Sequence, residues 1–326
     1  MVGEGSLAGE FLALQERVAW APLVLPGPLH FTGKDARETL DRVVTQAVKT
    51  LEPGRGVLAL LLGPKGQFRA IMAVFGSEDG LLLLAPPGRA AELEGFLGKY
   101  LAFSRSRLQP AGLNHGLLVA GPGWPDTARA CGADPDRLAG GGWQAAGDPI
   151  VRWFGQTFLG LRGAIALAET DEALGPVRAA AAARDGIEIS HAAMELARIG
   201  VGWPAWGREL TETVLPPEVG LERLAISYTK GCYVGQETIA RMKTYGHPTR
   251  CLVRLSQTDG PPDVPELPLS LVLEGEEKRR GELTSFALHP TLGGVALALV
   301  RREGAEEGRI WRAAERRLVV LSDPGV

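Results

Sequence analysis

Between Lys34 and Thr50 the apolar positions fall at Ala36, Leu40, Val43, Val44, Ala47 and Val48, with Arg37, Glu38, Asp41 and Arg42 between them. That spacing predicts an amphipathic helix over residues 34–50. The pattern then changes to two nearly uninterrupted apolar runs in "VLALLLGPKGQFRAIMAVFG", which flank Pro64-Lys65-Gly66 and predict a strand, a turn and a second strand. "GLLLLAPPG" predicts a third strand. Leu93, Phe96, Leu97, Tyr100 and Leu101 predict a helix over residues 90–101. Residues 114–148 are rich in Gly, Pro and Ala and read as short mixed elements and loops. A strand pair is expected near residues 157–168. Helical spacing returns over 171–183 and 190–199, the second stopped by Gly200, Gly202 and Pro204. After His247-Pro248 five short apolar runs, "CLVRL", "LSLVL", "LTSFA", "VALALV" and "LVVLS", predict a small antiparallel β-barrel or sandwich.

A length of 326 residues suits two domains, one of them built from intertwined parts. With 45% hydrophobic and 22% charged residues, the composition is that of a soluble globular protein, and no run has the apolar length of a membrane span. The opening "MVGEGSLAGE" carries acids where an export signal has a basic end, so a cytoplasmic location is expected. A net charge of −3 provides no global basic field, and direct nucleic-acid binding is not expected. Cys131, Cys232 and Cys251 are widely spaced and form no CxxC pair, which excludes a disulfide framework and a self-contained zinc site. Neither GxxxxGK[ST] nor GxGxxG occurs, so the two commonest nucleotide-binding loops are excluded as well.

The candidate chemistry centres on "YTKGCYVGQETIARMKTYGH" at residues 228–247. Gly231 and Gly235 allow a tight turn around Cys232. One reading is a reactive thiol, its thiolate favoured by Lys230, Arg241, Lys243, His247 and Arg250. The other is a buried cysteine acting as a small hydrophobe beside a solvated charged face.

The stretch "KGCYVGQE" at residues 230–237 resembles the signature of the YgfZ-type folate-binding proteins, relatives of the glycine-cleavage T-protein. "RIGVGWPAWGRELTETVLPPE" at residues 198–218 resembles the segment preceding that signature, and "FTGKDARETLDRVVTQAV" with "LEPGRGVLALLLGPKGQFRA" resembles the family's opening helix and strand pair. The resemblance implies an α+β fold of two interleaved α/β units over residues 1–247, with a C-terminal antiparallel β-barrel over 248–326, around a folate-sized opening. It implies tetrahydrofolate or another reduced folate as cofactor and iron–sulfur proteins or their assembly factors as partners. Cys232 and Lys230 are the implied reactive pair, and Arg198, Tyr233, Gln236 and Glu237 the implied cofactor-binding residues.

Departures from the T-protein pattern bear on the reaction. Its aspartate pair and a glutamate before D-G-x-E-I align with Arg69, Ala70 and Arg184, and T-N-D-V becomes Thr45-Gln46-Ala47-Val48. Replacing a carboxylate by arginine reverses the local charge, so aminomethyl transfer is not expected. An accessory role for iron–sulfur enzymes is therefore the first reading, and a folate-dependent one-carbon transferase the alternative. Arg198 either meets a glutamyl carboxylate or binds its own helix end. Trp203 and Trp206 either stack on a ligand ring or belong to the core. Cys251 is expected to be structural.

Overall fold

The computed structural model describes residues 6–23, 28–86, 88–101, 104–155 and 160–321. In chain order the elements are α1 (Leu7–Glu16), β1 (Ala19–Leu23), β2 (Leu29–Gly33), α2 (Ala36–Asp41), β3 (Gly56–Leu62), β4 (Phe68–Gly76), β5 (Gly80–Leu84), α3 (Ala90–Leu101) and β6 (Ser106–Pro110). There follow β7 (His115–Ala120), α4 (Trp124–Ala130), α5 (Pro135–Ala139), β8 (Trp143–Ala146), β9 (Val151–Phe154), β10 (Gly163–Ala168), α6 (Gly175–Ala182), β11 (Ile187–Glu188), α7 (His191–Gly200), α8 (Glu222–Ala225) and α9 (Gln236–Tyr245). The last stretch holds β12 (Arg250–Asp259), β13 (Leu269–Leu273), β14 (Arg279–His289), β15 (Gly293–Arg301), β16 (Ile310–Ala313) and β17 (Arg316–Val320).

Among the described residues the strands form three sheets: β3-β4-β5-β2-β6, β11-β1-β7-β10-β9-β8 and a closed barrel β12-β15-β14-β13-β16-β17. The first two interleave, because the chain leaves β1, builds the whole five-stranded sheet and returns to β1's neighbour with β7. The expected α+β class with two intertwined units and a C-terminal barrel is what the chain adopts.

The uninterrupted run "VLALLL" has a simple cause: β3 is covered on both faces. Leu58, Leu60 and Leu62 join a core shared with Phe154, Ile165 and Leu167 of the second sheet, while Ala59 and Leu61 face α2 and α3. Trp203, Leu210, Val214, Tyr233 and Ile239 close the shared core, so the signature region is part of what holds the two sheets together. Leu196 and Ile199 of α7 pack on Val295 and Leu297 of the barrel.

The expected helix over 34–50 is the main correction. Helix stops at Asp41, although Val43, Val44 and Val48 remain buried as the pattern required. The chain turns because its polar groups find long-range partners. Thr45 exchanges backbone hydrogen bonds with Leu60 and Ser227, and its hydroxyl bridges Ala225 and Leu60. Asp41 Oδ1 accepts from the Val48 and Lys49 amides. In the strand pair expected over 157–168, β10 pairs with β9, and residues 157–159 lie outside the described residues. The barrel has one strand more than the five runs indicated, β16, whose Trp311 fills the barrel core. Helices α1 and α9 carried no expectation at all.

Candidate functional site

The segment 226–235 runs without regular structure from α8 to α9, and its shape is set by contact with the β3–β4 turn. Gly235 has φ 84°, and a Cβ there would lie 2.5 Å from the Gly63 carbonyl oxygen and 3.1 Å from Gly66 Cα. Only glycine permits that approach. Gly231 is different: a Cβ there would meet open space. The two glycines flanking the cysteine turn therefore have separate roles, one in docking and one in leaving the surface free.

Cys232 is exposed. It opens into a shallow cleft of about 580 Å³ lined by Glu38, Asp41, Arg42, Lys49, Gly231, Tyr233 and Val234. The alternative of a buried thiol is overturned. The cations expected to favour its thiolate are engaged elsewhere, however. Arg241 pairs with Glu237 at 2.7 Å, the Lys243 ammonium lies 3.5 Å from the centre of the Tyr228 ring, and Arg250 holds Glu218 at 2.8 Å. His247 is exposed in the link to the barrel. The basic side chains in the cleft are instead Arg42 and Lys49, both within reach of Glu38 at 2.8 and 3.8 Å. Sequence reading missed them because they lie far from the cysteine in the chain; the only signal was their place on the polar side of the 34–50 pattern.

Lys230, expected beside the thiol, points inward. Its Nζ donates to the carbonyls of Asp41, Val44 (2.8 Å) and Gln46 (2.9 Å), and the Asp41 carboxylate stands at 3.5 Å. Three donors meet three acceptors, which uses every proton of the ammonium. The side chain is only 3% exposed. Burial lowers its pKa from the usual lysine value, and Asp41 offsets this in part.

Tyr233 is buried in the shared core with the Lys230 ammonium 5.7 Å from its ring centre, and desolvation, helped by Tyr228, pushes its phenol up to about 12. Gln236 begins α9, half-buried, and Glu237 lies exposed on the same helix. Arg198 belongs elsewhere. Its five N–H groups go to Glu195, Glu209, Ser285 and the Trp203 carbonyl, in a buried cluster where α7 meets the barrel. The expected reach to a ligand carboxylate is replaced by a clamp between domains, because no donor of Arg198 is left over.

A second opening also borders segment 41–49, through Gln46. This slot of about 290 Å³ is lined by Gln46, Val57, Leu58, Gly155, Gly160, Leu161, Trp203 and Leu224. Its walls offer both polar and apolar surface, with the Gln46 side chain bonded to the Leu224 carbonyl at 3.5 Å and accepting from the Ala47 amide at 3.2 Å. Trp203 is both core residue and slot wall, and Trp206 packs under the Arg89 guanidinium. At the aligned T-protein carboxylate positions, Arg69 pairs with Glu212, Ala70 is buried, and Arg184 caps its own helix at the Ala180 carbonyl. Cys251 and Cys131 are half-buried, and burial raises both thiol pKa values. Among the described residues no cluster of His, Cys, Asp and Glu has the geometry to hold a metal ion, and no helix is long and apolar enough to cross a membrane.

No protein-family model matches the chain. It is 27% identical to a protein named aminomethyltransferase from Streptomyces coelicolor, over 93% of this chain and 84% of the relative. It is 28% identical to a protein named tRNA-modifying protein YgfZ from Escherichia coli O157:H7, over 87% of this chain and 85% of the relative. Among solved structures, the glycine cleavage system aminomethyltransferase T from Bartonella henselae matches with a TM-score of 0.86 at 18% identity, covering 98% of this chain and 90% of that one. At that identity the likeness establishes the fold.

Proposed function

We propose that the chain, which belongs to the YgfZ/GcvT-like family by its relatives and its fold, is a tetrahydrofolate-binding accessory protein for the assembly or repair of iron–sulfur enzymes. The observation that carries this reading is the division within "KGCYVGQE". Tyr233 and Lys230 are buried as structure, while Cys232 alone of the three presents an exposed side chain to a charged cleft. A thiol so placed can meet a protein partner's group without the partner entering the interior. One cysteine cannot supply the ligands of a cluster, so any cluster contact is transient or shared with the partner.

The folate ring would be held in the slot beside Gln46 and Trp203. The ligand's reduced pterin would supply one-carbon chemistry when bound, and Gln46, Leu58 and Trp203 would hold and orient its ring. Aminomethyl transfer, the activity in the name of the Streptomyces relative, is disfavoured because the aligned carboxylate positions hold Arg69, which pairs with Glu212, Ala70, which has no polar side-chain atom, and Arg184. The name of the Escherichia relative points to tRNA; a net charge of −3 gives this chain no overall attraction to it, so the role proposed is indirect.

Calorimetric titration with tetrahydrofolate tests the ligand, and saturable binding in the micromolar range or weaker is expected. Cys232→Ser in cells lacking their own copy of the protein tests the thiol: iron–sulfur enzyme activity is expected to stay low while folate binding by the purified variant is kept. Full restoration by Cys232→Ser would overturn the role of the thiol. Turnover with the glycine-cleavage partner proteins at the rate of a genuine T-protein would favour the transferase instead.

A further inference from the structure

Segment 41–49 contributes to the walls of two separate openings. Asp41, Arg42 and Lys49 line the Cys232 cleft, and Gln46 lines the slot. Without regular structure beyond Asp41, the segment is kept in place by long-range bonds. Thr45 ties its middle to β3 and to the segment after α8, and Lys230 collects the carbonyls of Asp41, Val44 and Gln46 from beneath. The residue that holds the segment is thus two positions from the cysteine that faces it.

We propose that Lys230 is a positioning residue: by gripping segment 41–49 it makes that segment a shared wall, through which a ring seated in the Gln46 slot changes the reactivity of Cys232. This rests on the folate reading for the identity of the ring, and it adds what that reading lacks, a link between the two openings. The direction follows from the contacts. A ring against Gln46 restrains the carbonyl of the same residue, which Lys230 already holds, and so stiffens the wall that Asp41, Arg42 and Lys49 give the cleft, which narrows a reagent's approach to the exposed thiol. A ligand that binds the restrained form better shifts the population towards it.

The test is the rate of iodoacetamide alkylation at Cys232, followed by peptide mass spectrometry with and without saturating 5-formyltetrahydrofolate, with calorimetry on the same samples. The ligand is expected to slow alkylation of Cys232 about fivefold, the lower end of ordinary coupling between sites, and to leave Cys251 unchanged. In Lys230→Met the ligand still binds, but the ratio of rates falls to about one. Taking the ratio removes the direct effect of the lost charge on the thiol. In Lys230→Arg, which keeps N–H donors, the ratio stays above one. Should Lys230→Met fail to fold, hydrogen exchange on the wild type decides: the ligand must protect the amides of residues 44–49. Calorimetric binding with an unchanged Cys232 rate, or with no such protection, overturns the shared wall and leaves the folate reading standing. Absence of binding heat overturns both.

Discussion

Lys230 and Arg198 are both buried cations within the stretches that carry the family resemblance, and their surroundings differ in kind. Lys230 sits among three neutral carbonyls with one carboxylate at the edge of its reach. Arg198 sits between two carboxylates, Glu195 and Glu209, the second with a fully buried side chain. Carbonyl dipoles replace only part of the hydration that an ammonium loses on burial, so desolvation prevails and lowers the pKa of Lys230. For Arg198 burial acts the same way, but hydrogen bonds and charge from Glu195 and Glu209 outweigh it and raise its pKa. The comparison separates a fixed clamp at the barrel from a weaker tie under the exposed thiol.

The largest expected effect tests the clamp. Arg198→Met leaves Glu209 buried without its counter-ion, and the loss of stability should be about 3–5 kcal/mol, the cost of breaking a buried ion pair from one side. Denaturant unfolding measures it. Lys230→Met removes a charge from among neutral acceptors and should cost less, about 1–3 kcal/mol for carbonyls left without donors. If Lys230→Met proves the more damaging, the ranking of clamp and tie is wrong.

Gly235 and Gly231 sharpen the same comparison from the backbone side. Gly235→Ala puts a Cβ against the Gly63 carbonyl at a positive φ and should cost about 1–3 kcal/mol, undocking the tie's support on the β3–β4 turn. Gly231→Ala should stay within about 0.5 kcal/mol, since its Cβ would stand in open space. Equal costs at both positions would mean that the turn, not the docking, shapes the thiol's segment.

These contrasts also show what the sequence could disclose. Strand-turn-strand at Pro64-Lys65-Gly66 and the barrel were legible because apolar period and turn residues are local signals. The overlong helix at 34–50 was not, because its end is decided by Lys230 and Thr45, whose partners lie as far as 189 positions away. The same distance hid Arg42 and Lys49 from any reading of the cysteine's neighbours. Arg198 reads as meeting either a ligand carboxylate or its own helix end, because a buried acceptor such as Glu209 and a ligand carboxylate look alike from the sequence. Helix α9 escaped notice because "QETIARMKTY" buries little apolar surface: Ile239 is its one fully buried side chain among those described.

The smallest expected effect is the most diagnostic, because the two anchors should respond to pH at opposite ends of the scale. Burial alone would raise the pKa of Glu195, but bonds to Arg198 and the charges of Arg198 and Arg208 hold it below the ordinary glutamate value of 4.5. Its contribution is therefore complete above pH 4.5 and is lost as pH falls through the lowered folded value. Lys230 works the other way. Its folded pKa lies below the ordinary 10.5, so between that folded value and 10.5 the unfolded chain binds more protons, and this group's contribution to stability grows as pH rises. Denaturant midpoints across pH for the wild type, Glu195→Gln and Lys230→Met isolate the two slopes by difference. Glu195→Gln should flatten the acid limb, and Lys230→Met should remove a rising component on the alkaline side. A falling component there would mean that the three carbonyls and Asp41 favour the ammonium more than water does, and Lys230 would then be a clamp of the same kind as Arg198.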